Sequence, residues 1–224
     1  MRKILTFLCL FFFMLQAGAQ VRKTVAILGD SYSTYQGFIP SGQACWYKIP
    51  AKTNMTDVCD VEQTWWWQVI KEGGYKLGKN ESYSGATICN TGYSGNDYTD
   101  RSFVTRCTRL GNPDIILICG GTNDSWAGVK MGEYKYAGWT KADLYKFRPA
   151  MAKMLSDIRH HYPNVDVYFI LNSELKEINT SVDEVCAHYD VPVIKLVDID
   201  KKSSHPSIKG MRSFADQVLK VIKK

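Results

Sequence analysis

The chain has 224 residues, enough for one domain with a sizeable core, and nothing in its length calls for a second. Its 28 Lys and Arg against 22 Asp and Glu give a formal charge of +6, which falls to +4 if Arg2 and Lys3 leave with an N-terminal leader. The basic residues are scattered, apart from short pairs such as Lys201-Lys202 and Lys223-Lys224. No electrostatic case for a nucleic-acid partner arises.

The N-terminus carries Arg2 and Lys3, then an apolar block from Ile4 to Leu15, then the small residues Ala17-Gly18-Ala19. That pattern is a secretory signal, residues 1–19, with cleavage expected after Ala19. The block is too short to span a bilayer comfortably, and no later stretch approaches the roughly 20 apolar residues required. A single domain over 20–224 is expected, secreted or periplasmic, with no integral membrane segment once the leader is gone.

The first predicted strand, Thr24 to Leu28, runs directly into Gly29-Asp30-Ser31. An open parallel sheet collects its chemistry at the carboxyl ends of its strands, so a serine there faces a crevice. Gly-Asp-Ser is equally ordinary turn chemistry, and the tripeptide alone does not decide. A helix is predicted over Glu62 to Lys71; its Trp65-Trp66-Trp67 cannot all face one way, so at least one belongs to the core and another is a candidate for the cleft. A strand near Glu81 to Tyr83 leads to Ser84-Gly85-Ala86, where the glycine can leave a backbone N–H free.

A helix over Ser102 to Leu110 precedes the strand Asp114 to Cys119, which ends in Gly120-Gly121-Thr122-Asn123-Asp124. The two glycines permit a sharp turn and aim the Asn123 amide at the same crevice. Helices over Ala142 to His161, Val182 to Tyr189 and Ile208 to Val221 alternate with strands at Val165 to Leu171 and Val193 to Val197. Pro163 and Pro192 each stop a helix just before a strand. Near-continuous apolar strands separated by helices define an α/β fold with a parallel sheet, helices on both faces and right-handed crossovers. The loop after the last strand brings His205-Pro206, with Pro206 pre-setting the start of the C-terminal helix.

Ser31, Gly85, Asn123 and His205 thus arrive on successive strand ends as a nucleophile, oxyanion donors and a general base. The Ser31 and Gly85 N–H groups and the Asn123 amide are the expected donors. A serine hydroxyl is a weak nucleophile, so His205 must accept its proton during attack and return it to the leaving group.

At these residues the chain resembles the SGNH or GDSL hydrolase family: Gly29-Asp30-Ser31 is similar to its first block, Gly85 to its second, Gly121-Thr122-Asn123-Asp124 to its third and His205 to its last. The resemblance covers nearly all of the chain after the leader. It implies a three-layer α/β/α sandwich with a mostly parallel, flavodoxin-like sheet, hydrolysis of esters, and no metal or organic cofactor. One departure stands out. The family usually places an aspartate three residues before the histidine, where this chain has Lys202. Asp200, or less directly Asp198, is the candidate to orient His205; the alternative is a backbone carbonyl and a Ser-His dyad.

The expected activity is hydrolysis of short acyl esters, acetyl above all, on a carbohydrate. A lipid acyl hydrolase and a catalytically inert carbohydrate-binding protein are the alternatives. Trp126 and Trp139, in the aromatic segment Ser125 to Thr140 with Tyr134 and Tyr136, are the candidate substrate platforms, and Trp46 and Tyr47 are weaker ones. Six cysteines remain after the leader. Cys119 reads as core, and Cys45–Cys59 is the preferred disulfide across a polar loop. There is no CxxC pair and the histidines lack metal-ligand spacing; His160, His161 and His188 sit at helix ends and read as structural.

Overall fold

Alternate residues of β1 (Thr24–Gly29) enter opposite cores: Val25 and Ile27 on one face, Ala26 and Leu28 on the other, all fully buried. A strand buried on both faces has to lie inside a sheet covered on each side. The computed structural model describes residues 21–173 and 175–222, so the expected leader and its cleavage after Ala19 lie outside the described residues. β1 is flanked by β2 (Lys76–Ser82) and β3 (Ile115–Cys119); β4 (Asp166–Leu171) and β5 (Val193–Lys195) complete the sheet. The order is β2-β1-β3-β4-β5, every pairing parallel. This is the flavodoxin-like arrangement, and its switch point lies between β1 and β3, the strands that carry Ser31 and Asn123 at their ends.

One face is covered by α1 (Trp65–Gly73) and α6 (Ile208–Ile222), which meet through the Trp65 and Phe214 rings stacked at 4.4 Å. The other is covered by α2 (Phe103–Arg106), α4 (Phe147–His161) and α5 (Glu177–His188). The short α3 (Thr122–Ala127) starts at the end of β3. A two-stranded ribbon of β6 (Lys201–Lys202) and β7 (His205–Pro206) carries the histidine. No helix among the described residues is long and apolar enough to cross a membrane.

The three-layer α/β sandwich expected from the sequence is the fold observed, with local differences. β2 begins at Lys76, earlier than its apolar content suggests, because it is an edge strand whose first half is largely solvated. The helix expected over Ser102 to Leu110 is the single turn α2. The segment Ala142 to His161 divides into a 3-10 turn at Lys141–Tyr145 and α4, since the Phe147 and Arg148 N–H groups are taken by the Lys130 and Met131 carbonyls. α5 extends five residues further toward its N-terminus than Val182, through Asn179 and Thr180, whose weak helix propensity is overridden by burial of Ile178 and Ser181.

Trp65 and Trp66 are both core and Trp67 packs on Phe38 under Lys71, so none of the three is shown in contact with the catalytic side chains. All six cysteines of the described chain are free. The expected Cys45–Cys59 bridge is absent: the Cys45 thiol donates to the Tyr47 carbonyl at 3.3 Å, while Cys59 is exposed.

Candidate active site

Ser31 opens a single 3-10 turn, Ser31–Ser33, at the end of β1. Asp30 caps that turn by accepting the Tyr32 N–H at 3.0 Å, and Ser33 N–H reaches the Asp30 carbonyl. As the first residue of the turn, Ser31 has an N–H with no partner inside it. Gly29 permits this closeness: a Cβ there would come within 2.5 Å of the Ser82 hydroxyl and 2.6 Å of Ser33 Cβ.

His205 Nε2 lies 2.9 Å from Ser31 Oγ, and its Nδ1 lies 2.9 Å from the Ser203 carbonyl. A carbonyl can only accept, so Nδ1 carries the proton of the neutral ring and Nε2 presents a lone pair to the serine hydroxyl. The ribbon explains the geometry. Lys202 and His205 are cross-strand partners joined through Ser203 and Ser204, both left-handed (φ 47° and 62°), the signature of a tight primed hairpin turn. The second carbonyl of that turn, Ser204, accepts the Tyr32 hydroxyl at 2.7 Å and ties the ribbon to the nucleophile turn.

Among the described residues no carboxylate bonds to the imidazole. The Asp200 carboxylate accepts the Ser207 hydroxyl, and Ser207 Oγ in turn accepts the Gly210 N–H at 3.1 Å, capping α6. The expectation that Asp200 orients His205 is therefore corrected: helix capping holds that side chain, and a backbone carbonyl takes the orienting place. Lys202 extends to the Thr53 carbonyl at 2.7 Å. Burial, only partly offset by the Ser203 carbonyl, lowers the His205 pKa from 6.5 to about 4, with the positive Lys201 adding to the effect.

Asn123 is 3 % exposed and its amide is fixed on three sides. The Tyr93 hydroxyl donates to Oδ1 at 2.7 Å, while Nδ2 donates to the Ala86 carbonyl at 3.0 Å and faces Asp30 Oδ2 at 3.3 Å. Asp30 is fully buried, and desolvation raises its carboxyl to about 7 despite the Tyr32 N–H. Asp124 is raised to about 6 by burial, although it accepts the Ile88 and Cys89 N–H groups. Gly85 has φ +82°, a conformation that favours glycine, and its N–H donates no hydrogen bond among the described residues.

Behind the site, the buried Arg106 guanidinium donates to the carbonyls of Arg101, Glu81 and Gly29, pinning the ends of β1 and β2 together. Trp126 is 45 % exposed and its ring lies 6.3 Å from that of His205. Trp139 has a different placement from the one expected: its Nε1 donates to the Lys135 carbonyl and Lys153 sits over its ring, so it belongs to the packing around α4. Tyr136 stacks on His188 and Tyr134 receives Arg148, leaving Trp126 as the one aromatic of that segment shown against the site. Sequence reading missed Tyr93 and gave Trp46 little weight; their contacts join residues far apart in the chain, and no local pattern marks them.

A flavodoxin-like sheet with a serine and a histidine in contact at its switch point defines a serine ester hydrolase. A family model described as GDSL-like Lipase/Acylhydrolase matches residues 23–222, and the chain belongs to that family. A Bacteroides ovatus protein described as a GDSL-like lipase is 55 % identical, with a TM-score of 0.89 over 91 % of this chain and 99 % of its own. A Bacteroides uniformis protein of the same description is 52 % identical, with a TM-score of 0.88 over 91 % of this chain and 96 % of its own. Est24, a carbohydrate acetylesterase from Sinorhizobium meliloti, shares the fold at 15 % identity, with a TM-score of 0.59 over 90 % of this chain and 99 % of its own. No curated protein matches the sequence.

Proposed function

We propose that the protein is an exported esterase that removes short acyl groups, acetyl in particular, from carbohydrate through an acyl-enzyme on Ser31. The observation that carries this reading is the enclosure of the nucleophile: Ser31 is 4 % exposed and Tyr32 and Asn123 are buried, while Trp126, its ring 6.3 Å from that of His205, is 45 % exposed. Such a site has little room for a long acyl chain and offers a platform for a sugar ring. Est24 shares the fold and is a carbohydrate acetylesterase, which makes that class of substrate the first to assay. Export rests on the Arg2-Lys3, Ile4 to Leu15 and Ala17-Gly18-Ala19 pattern.

In this mechanism Ser31 Oγ attacks the acyl carbon as His205 Nε2 takes its proton. The negative oxygen is met by the Ser31 and Gly85 N–H groups and by Asn123 Nδ2, which leaves Asp30. The intermediate collapses, the ester C–O bond breaks, and His205 returns the proton to the departing alcohol. Water then attacks the acyl-enzyme with one proton passing to His205; the bond from the acyl carbon to Ser31 Oγ breaks, His205 returns that proton to Oγ, and the acid leaves.

The test is hydrolysis of p-nitrophenyl acetate, butyrate and octanoate by wild type and Ser31→Ala, with acetate release from acetylated glycans. Activity confined to short chains, lost in the variant and accompanied by acetate release supports the proposal. Preference for octanoate would replace it with lipid acyl hydrolysis, and binding of glycan without turnover would replace it with an inert binding role.

A further inference from the structure

Among the described residues no carboxylate bonds to His205, yet hydrolysis through Ser31 makes it cationic in both half-reactions. What it does have is Trp46. The two rings lie face to face, centroids 3.5 Å apart and planes within 7°. Neutral aromatic rings avoid a centred parallel stack, because their negative faces repel; a cationic ring over an indole face is attracted instead. The stack therefore suits the imidazolium better than the imidazole.

The position of Trp46 is built from both sides of the site. Its N–H donates to Thr34 Oγ1 at 2.9 Å, and that hydroxyl donates to the Ser31 carbonyl at 3.0 Å. The next residue, Tyr47, is fully buried and donates from its hydroxyl to the Pro206 carbonyl at 3.0 Å. One flank is thus held by the nucleophile turn and the other by the residue after the base. The buried Trp46 Nε1 donates to nothing among the described residues, so the indole is held by its backbone and its packing.

The geometry points to Trp46 as a positioning residue for His205, one that stabilises the protonated base by its ring face where a carboxylate would otherwise do so. This rests on the reading of Ser31 and His205 as a hydrolytic pair. Among the described residues, the other groups around the ring do not supply a counter-charge. Lys201 is positive and lies with its Nζ 5.7 Å from the Tyr32 ring centroid, Lys202 is bonded to Thr53, Asp200 to Ser207, and Tyr32 uses its hydroxyl on Ser204. Trp126 approaches His205 at 68°, without the parallel face that Trp46 presents.

The test follows the His205 imidazole by proton NMR through the acid range in wild type, Trp46→Phe and Trp46→Leu, with His205→Asn to assign the resonance. Hydrolysis of p-nitrophenyl acetate is measured over the same range. Trp46→Leu should lower the His205 pKa by about one unit, equivalent to a tenfold weaker hold on the proton, and reduce kcat about tenfold with KM little changed. Trp46→Phe keeps a ring face and should shift the titration the same way by less; it carries the test alone if the leucine variant does not fold. A tryptophan that merely buried the imidazole would give the opposite sign, since admitting water raises the pKa. An upward or absent shift overturns the inference. If wild type fails to turn over ester, or Ser31→Ala retains its rate, the hydrolytic reading fails while the titration still decides the role of Trp46.

Discussion

The Asp200 carboxylate accepts the Ser207 hydroxyl, and the Asp200 carbonyl accepts the Ser207 N–H at 3.0 Å. This double link fixes the first turn of α6 two residues after the base. Gly210 packs so tightly beneath it that a Cβ would lie 2.0 Å from the Asp200 carbonyl oxygen. Asp200→Ala should therefore cost about 1–2 kcal/mol of stability, as loss of a cap and its supporting hydrogen bond does. Its kcat/KM should stay within about threefold of wild type, whereas loss of an orienting aspartate costs on the order of ten-thousandfold. Urea denaturation and ester hydrolysis on the same preparation separate the two.

The pH dependence of the base has a definite sign. Because the folded His205 pKa is about 4 against an ordinary 6.5, the acid limb of kcat/KM should fall near 4. Between those values the unfolded chain binds a proton that the folded one does not, so this residue lowers stability as pH falls through the window. Denaturation of wild type and His205→Asn across that range should show wild type losing ground to the variant toward acid. A difference independent of pH would contradict the assignment.

Tyr93 is one of three holds on the Asn123 amide. With its hydroxyl gone, Oδ1 loses its 2.7 Å donor and the amide is held only through Nδ2, by the Ala86 carbonyl and Asp30. Tyr93→Phe should reduce kcat about tenfold, less than deletion of an oxyanion donor because Nδ2 is displaced but still present. Asn123→Ala should be the more severe of the two, and equal effects would mean that Tyr93 does more than orient.

Among the described residues no carboxylate bonds to the buried Arg106, and burial lowers its pKa to about 10. Arg106→Met keeps much of the stem but takes a donor from three carbonyls, of which Gly29's keeps the Tyr83 N–H, so a loss of about 3 kcal/mol is expected in urea denaturation. A near-neutral result would show that water reaches those carbonyls.

Trp126→Ala should raise KM for acetylated glycan several-fold while leaving p-nitrophenyl acetate hydrolysis nearly unchanged. Its exposed face lies beside the base and holds neither Ser31 nor Asn123 in place. Equal losses on both substrates would assign it to the architecture of the site.

The parts of this molecule written in local sequence were legible. Buried strands β1, β3 and β4 announce themselves by continuous apolar runs; Ser31 follows β1 and Asn123 follows β3, while Gly85 comes after β2 and His205 on the ribbon after β5. β2 was legible only at its buried end, because an edge strand alternates like a solvated loop. The partner of His205 Nδ1 was open between Asp200 and a carbonyl, since spacing cannot say whether a loop acid faces a histidine or caps the next helix. The Trp46 stack and the Tyr93 hydrogen bond join segments separated in sequence, and Trp139, in the same aromatic stretch as Trp126, is set apart from it only by packing.

Ser31 and His205 hang from unequal anchors. The serine opens the turn directly after β1, a strand paired on both edges within the sheet. The histidine sits on a ribbon of two residues per strand whose exposed turn is held by the carbonyl contacts already described. The 2.9 Å contact between them thus joins a five-stranded sheet to a two-residue ribbon, and the Tyr32 hydroxyl on the Ser204 carbonyl is the tie that keeps the two supports in register.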